Sequence, residues 1–140
     1  MSESQTGGCL CGAVRYQISG PALMAGHCHC RTCQRAAGGP MKTVVGFPLA
    51  AFKKAQGMTR EYTYRADSGH RVTNSFCPEC GSQLFGRPEK MQGLIFVSAT
   101  SLDDASWVHP ALHIYMSKAQ PWDPTQDNLP HFAAMPPSET

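Results

Sequence analysis

Seven cysteines lie in three short groups along this 140-residue chain, and their spacing constrains the fold more than any other feature. The groups are C-L-C at Cys9 and Cys11, H-C-H-C-R-T-C over residues 27–33, and C-P-E-C-G at Cys77 and Cys80. An odd number of cysteines cannot all pair as disulfides, whereas closely spaced thiols are typical metal ligands. The spacing therefore predicts metal sites, and the fold has to bring distant segments together to complete them.

Composition excludes several classes of protein. Apolar residues make up 41% and charged residues 16% of the sequence, unlike a disordered segment. No apolar run approaches the roughly 20 residues that span a bilayer, and the N-terminal MSESQTGG lacks the basic and apolar regions of a secretory signal. We therefore predict a cytoplasmic protein with no membrane partner, in a compartment that keeps thiols reduced. The net charge of +2 is too small to favour nucleic acid as a partner.

Short runs of alternating polar and apolar residues predict an all-β fold. They lie over residues 12–19, 41–47, 60–65, 71–76, 93–99 and 112–116, with turn residues between them. Brief helical stretches are predicted at RTCQRAAGG, closed by Gly38, and at PLAAFKK, opened by Pro48. The length fits a single domain over residues 1–140, with a core at about 7–132 and a loose C-terminal tail.

The C-P-E-C-G segment is the most specific local signal. Two thiolates at i and i+3 around a tight turn point toward one ion, but they supply only two of the four ligands of a structural zinc. Cys9 and Cys11 can supply the other two if C-L-C lies on a strand, where residues i and i+2 share a face. These two cysteines, with Cys77 and Cys80, are therefore predicted to hold a structural zinc.

The remaining Cys28, Cys30 and Cys33 predict a second zinc site with three thiolates. We expect Cys28 and Cys30 to project together from a strand and Cys33 to return over the following turn. Three protein ligands leave the fourth position to water or substrate, which distinguishes a catalytic zinc from a structural one. We expect two zinc ions per chain when the protein is replete with zinc. The second site can be isolated partly empty, because it lacks a fixed fourth ligand.

His27 and His29 leave an alternative open. On a straight strand both would point away from the cysteines, but a bend would let one of them complete the tetrahedron and close the site. A closed site favours a non-catalytic zinc-binding module over an enzyme. His113 and Tyr115 share a face of a later predicted strand, where packing in the core or rim is the commoner role. The sequence assigns no role to the three histidines.

Arg31 and Arg35 flank the three-cysteine group. Arginine suits bidentate pairing with a carboxylate, so either residue could hold a substrate carboxylate or offset thiolate charge. The alternative is a pair of solvent-facing arginines on a short helix. If they bind a peptide thiol, replacing them with alanine should raise its KM.

The chain resembles the glutathione-dependent formaldehyde-activating enzyme (GFA) family over nearly its whole length. The matching segments are GGCLCGAVRY (7–16), HCHCRTCQRAAGG (27–39), FCPECGSQLF (76–85), SLDD (101–104) and HIYMSKAQPW (113–122). The resemblance implies a zinc-containing β-tent fold, with the four cysteines on a structural zinc and the other three on a catalytic zinc. It also implies a carbon–sulfur lyase that joins formaldehyde to the thiol of glutathione, giving S-hydroxymethylglutathione. The particular thiol and the oligomeric state stay open.

Overall fold

The computed structural model describes residues 4–137, and it confirms the all-β fold class with two sheets and a few short helices. The strands are β1 (Gln5–Gly8), β2 (Arg15–Ile18), β3 (Met24–Cys28), β4 (Lys42–Pro48), β5 (Phe52–Gln56), β6 (Arg60–Arg65), β7 (Arg71–Phe76), β8 (Gln83–Pro88), β9 (Leu94–Ser98) and β10 (His113–Ile114). One α-helix, α1 (Arg31–Ala37), is joined by 3₁₀ turns at Leu49–Ala51, Glu89–Met91, Ala99–Ser101 and Met116–Lys118. Residues 1–3 of the predicted domain and 138–140 of the predicted loose tail lie outside the described residues.

The strands form a three-stranded sheet, β1-β2-β5, and a seven-stranded sheet, β10-β3-β4-β9-β8-β7-β6. Neighbouring strands are antiparallel, except that β10 runs parallel to β3. In this register Cys28 has Lys42 on one side and Ile114 on the other. The last residue of β3 therefore lies between two strands that come from distant parts of the chain.

The core packs one face of the larger sheet against the smaller sheet. Side chains at alternate positions of β4 and β9 point to this face, and the side chains of β2 meet them. On β2, β4 and β9 the fully buried apolar side chains are those of Tyr16, Ile18, Val45, Phe47, Ile95 and Val97. The opposite face of the larger sheet is thereby left free to form a cavity.

The two strands β6 and β7 begin and end at the predicted residues, and α1 ends as predicted at Gly38. Gly38 has a φ of 70°, and its N–H donates to the carbonyl of Gln34 at 2.9 Å. The predicted helix at PLAAFKK is wrong beyond its first turn, because Phe52 pairs with Ile18 and begins β5. None of the helices within the described part of the chain is long and apolar enough to cross a membrane.

Candidate metal centres and the adjoining cavity

Four cysteines from two distant turns come together at one point. The ligand atoms of Cys9, Cys11, Cys77 and Cys80 all lie within 4.8 Å of one another. The Sγ of Cys11 is 3.7 Å from that of Cys9 and 3.8 Å from that of Cys77. A tetrahedron with Zn–S bonds of about 2.3 Å has edges of about 3.8 Å, so both of these separations in the four-thiol cluster match a four-thiolate zinc site.

Cys9 and Cys11 lie in a turn after β1, and the prediction that they share a strand face was wrong. The N–H of Gly12, whose φ is 84°, donates to the carbonyl of Cys9 at 3.2 Å and closes the turn. The N–H of Val14 then donates to the Sγ of Cys9 at 3.2 Å. Thus the turn, not the strand pleat, directs both thiols toward the second pair.

The C-P-E-C-G turn surrounds its two sulfurs with hydrogen-bond donors. The N–H of Glu79 donates to the Sγ of Cys77 at 3.3 Å, and the N–H of Gly81 donates to the carbonyl of Cys77 at 2.8 Å. The hydroxyl of Ser82 lies 3.2 Å from the Sγ of Cys80, and this hydrogen bond lowers the pKa of Cys80 to about 5. Thiolate is the form that binds zinc, so the turn favours metal binding.

The second cluster, the three-thiol cluster, consists of Cys28, Cys30 and Cys33, whose Sγ atoms also lie within 4.8 Å of one another. Cys28 ends β3, Cys30 is the N-cap residue of α1, and Cys33 lies in its first turn. The prediction that Cys28 and Cys30 share a strand was therefore wrong for Cys30. Its Sγ accepts the N–H of Cys33 at 3.3 Å, so the change from strand to helix brings the three thiols together.

The three thiols strongly perturb one another. Hydrogen bonds from Cys28 and then Cys33 lower the pKa of Cys30 to about 3. The same contact with Cys30 raises the pKa of Cys28 to about 12, and contact with Cys28 raises that of Cys33. One thiolate is therefore stabilised at the expense of the other two, and a cation among the three sulfurs would favour deprotonation of all of them.

Among the described residues, no histidine or carboxylate joins the three-thiol cluster at ligand distance. The Nδ1 of His27 lies 2.7 Å from the hydroxyl of Thr43, and its ring stacks on that of His113 at 4.7 Å. The Nε2 of His29 lies 2.8 Å from the Nδ1 of His113, and its Nδ1 lies 2.8 Å from a carboxylate oxygen of Asp123. Both imidazoles are thus engaged away from the thiols.

A third group of ligand atoms, from His113, Asp127 and His131, also lies within 4.8 Å. A carboxylate oxygen of Asp127 is 2.9 Å from the Nε2 of His113. This hydrogen bond accounts for the position of the buried imidazole without an ion.

The three-thiol cluster lies in the wall of a cavity of about 480 Å³. Tyr64 and Tyr115 contribute to the lining, and Tyr115 adopts a left-handed φ of 57° that is uncommon for its residue type. Lys42, opposite Cys28 in the sheet, also lines the cavity although its side chain is buried. Burial lowers the pKa of Lys42, and the nearby thiolates oppose that shift.

Lys42 and Tyr64 were not identified from the sequence as site residues. A signal for Lys42 was available in the sequence, because the alternation of side chains along β4 puts it on the same face as Val44 and Gly46.

Arg31 and Arg35 do not line the cavity. Arg31 donates to the side-chain carbonyl of Gln34 on its own helix. Carboxylate binding by either arginine stays a prediction.

The fold and the two clusters define a class of β-sheet protein that could bind zinc at a closed four-thiol site and at an open three-thiol site. The chain belongs to the family described as "Glutathione-dependent formaldehyde-activating enzyme" (GFA), whose model matches residues 4–118, and this confirms the resemblance found in the sequence. The crystal structure of a protein from Rhodobacter sphaeroides is similar, with a TM-score of 0.58 and 21% sequence identity over 75% of this chain and 91% of that one. At this identity the likeness shows the fold alone.

Proposed function

We propose that this protein is a zinc-dependent carbon–sulfur lyase that makes and breaks the bond between a small thiol and an aldehyde. Formaldehyde and glutathione are the pair that the family description indicates. In the forward direction the thiol sulfur bonds to the carbonyl carbon, the π bond of the carbonyl breaks, and the thiol proton ends on the oxygen. The reverse reaction restores thiol and aldehyde. The observation that carries the proposal is a three-thiol cluster that lies in the wall of a cavity and has no fourth protein ligand among residues 4–137.

The donor set fits zinc, and a zinc ion there would supply an open position able to bind a thiol as thiolate or to polarise an aldehyde oxygen. Three thiolates around a divalent ion carry a net charge of −1. Lys42 is the buried cation on the same sheet face, and its ammonium offsets that charge. The cavity walls hold the substrate beside the cluster and exclude water from it.

A non-catalytic zinc-binding module is the alternative. It requires neither a cavity at the second cluster nor an open fourth position, and both features favour the enzyme.

None of the seven cysteines forms a disulfide. We propose a cytoplasmic location, because cysteines that serve as metal ligands and not as disulfides are typical of a reducing compartment.

Exchange NMR tests the proposal directly. Formaldehyde labelled with ¹³C is mixed with each of a panel of thiols, glutathione included, and exchange between free aldehyde and adduct is measured with zinc-loaded protein. We expect acceleration for at least one thiol and a loss of about 100-fold or more in Cys28→Ser, whose zinc content falls by one ion. The control is Met58→Ser, an exposed position that does not line the cavity. An equal rate in wild type and Cys28→Ser would overturn the proposal.

A further inference from the structure

The cavity beside the three-thiol cluster is lined mainly by apolar side chains. Val44, Val72, Phe96 and Ile114 contribute to its walls. On β4 and β9 these side chains alternate with the valines and isoleucines of the core, so they point to the opposite face of the sheet. None of the four belongs to the core cluster or packs against it. Packing of the core therefore does not explain why these cavity-lining side chains are apolar.

The mouth of the cavity is apolar as well. Leu23, Met24 and Met135 are 53%, 47% and 42% exposed, and all three line this cavity. They account for three of the seven strongly exposed large hydrophobic residues in the described part of the chain. Apolar side chains gathered around one opening are typical of a binding site for an apolar group.

Glutathione carries two carboxylates and an ammonium at neutral pH, and the charged groups in the cavity lining are Lys42, Lys90 and Asp67. No arginine belongs to the lining among the described residues, and the buried cation Lys42 already faces three thiols. Asp67 and Lys90 lie exposed at the rim, where ion pairs contribute little affinity. Charged ends that enter the cavity would lose hydration, and hydrogen bonds from neutral lining side chains such as Tyr64 and Asn74 would replace only part of it.

We infer that the thiol half of the substrate carries an uncharged apolar substituent, an alkyl or aryl group, in place of a charged peptide. This inference rests on the proposed function and names the substrate class of the same site. The sulfur lies at the three-thiol cluster, and the substituent extends along Val44 and Phe96 toward Leu23 and Met24. The bond changes are those already given, with formaldehyde as the second reactant.

A homologous series of thiols tests the inference. The exchange rate with ¹³C-formaldehyde is measured with zinc-loaded protein for ethanethiol, propanethiol, butanethiol and hexanethiol. Each methylene that enters the cavity should raise kcat/KM about three- to fourfold. Two matched pairs isolate polarity at nearly constant size: propanethiol against 2-mercaptoethanol, and butanethiol against 3-mercaptopropionate. The apolar member of each pair should react at least tenfold faster, and butanethiol should exceed glutathione.

Two exposed positions provide matched variants. Leu23→Arg places a cation at the mouth, and we expect kcat/KM to fall severalfold for hexanethiol and to rise for glutathione. Met58→Arg makes the same change of charge at a side chain that is 79% exposed and absent from the cavity lining. It should leave both values unchanged. Equal effects of the two variants would contradict the assignment of the cavity.

The outcomes separate this inference from the proposed function. If no thiol reacts faster with protein than without it, the proposed function fails. If glutathione or the polar members react faster, the enzyme stands and the inference fails. Calorimetry of zinc-loaded protein with two unreactive thioethers, methyl hexyl sulfide and S-methylglutathione, gives an independent readout. The inference requires binding at least tenfold tighter for the sulfide, with a negative change in heat capacity, and equal affinities would overturn it.

Discussion

Replacing one cysteine in each cluster should separate a zinc ion that stabilises the fold from one that does not. Cys77→Ser and Cys28→Ser are a matched pair because the chemical change is the same and both side chains are buried, at 0% and 9% exposure. The cost of burying a hydroxyl is therefore similar in the two variants. A difference in the free energy of unfolding then reports on the metal sites.

The magnitude follows from which states of the chain can bind zinc. The four-thiol cluster joins Cys11 to Cys77 across 66 positions, so it exists only in the folded chain. If free zinc is about 1,000 times its dissociation constant, the ion stabilises the fold by about 4 kcal/mol. For a chain of this length that corresponds to about 15 °C in Tm. The three-thiol cluster lies within residues 28–33 and can bind zinc in the unfolded chain too, which reduces its contribution to about 1 kcal/mol or less.

Zinc analysis and thermal unfolding followed by circular dichroism measure both quantities in buffered zinc. We expect Cys77→Ser to lower Tm by about 15 °C or to prevent folding at 37 °C, and Cys28→Ser to lose one ion with a change in Tm below about 5 °C. Equal losses of Tm in the two variants would refute the division between a structural and an open site. A folded Cys77→Ser protein with unchanged Tm would refute it as well.

Three further predictions concern the scaffold and the cavity. Gly57→Ala should lower the free energy of unfolding in urea by at least about 2 kcal/mol more than Gly69→Ala. Both glycines have a positive φ, but only at Gly57 would the new Cβ lie 2.1 Å from a backbone oxygen. Equal losses would contradict the close packing at Gly57. A hydrogen bond from Arg15 lowers the pKa of Asp103 in the folded protein. The pair therefore contributes its full stability above the unfolded carboxyl pKa of about 3.9, and this contribution is lost as the pH falls through the lower folded pKa. Asp103→Asn should therefore be less stable than wild type at pH 7 by up to about 1 kcal/mol, and the difference should shrink in acid. A difference that grows as the pH falls would contradict this role of the pair. Lys42→Met should keep two zinc ions and lower the kcat/KM of the exchange reaction about 10- to 100-fold. An unchanged kcat/KM would show that Lys42 has no role in the reaction.

Strands with strong local signals could be predicted from the sequence to the residue. Arg60–Arg65 and Arg71–Phe76 alternate regularly and flank a turn of Ala, Asp, Ser and Gly, so local preference and pairing agree. Gln83–Pro88 could not be predicted, because Gly86 and Pro88 lower its strand preference. It forms a strand because β7 and β9 pair with it on either side. Such partners are a property of the tertiary fold.

The cysteine groups identified the candidate ligands, but the local structures that aim them could not be inferred. C-L-C occupies a turn and Cys30 caps a helix, although side chains on a strand at the same spacing would also share a face. Spacing alone does not distinguish these geometries. The cavity was beyond sequence analysis because its walls come from strands throughout the chain. Lys42 in particular becomes a site residue only through its register opposite Cys28.

The fourth position of the three-thiol cluster is open because its neighbouring histidines have better partners elsewhere. His29 is fully buried between His113, 84 positions away, and Asp123, whose side chain is only 5% exposed. Turning His29 toward a metal would remove its contacts with His113 and Asp123 and leave the carboxylate with only the hydrogen bonds from Thr125, at a cost of about 1–3 kcal/mol. His27 is held by Thr43 across the β3–β4 ladder. The parallel pairing of β10 with β3 brings His113 to this place, so a contact between distant parts of the chain keeps both histidines away from the three-thiol cluster.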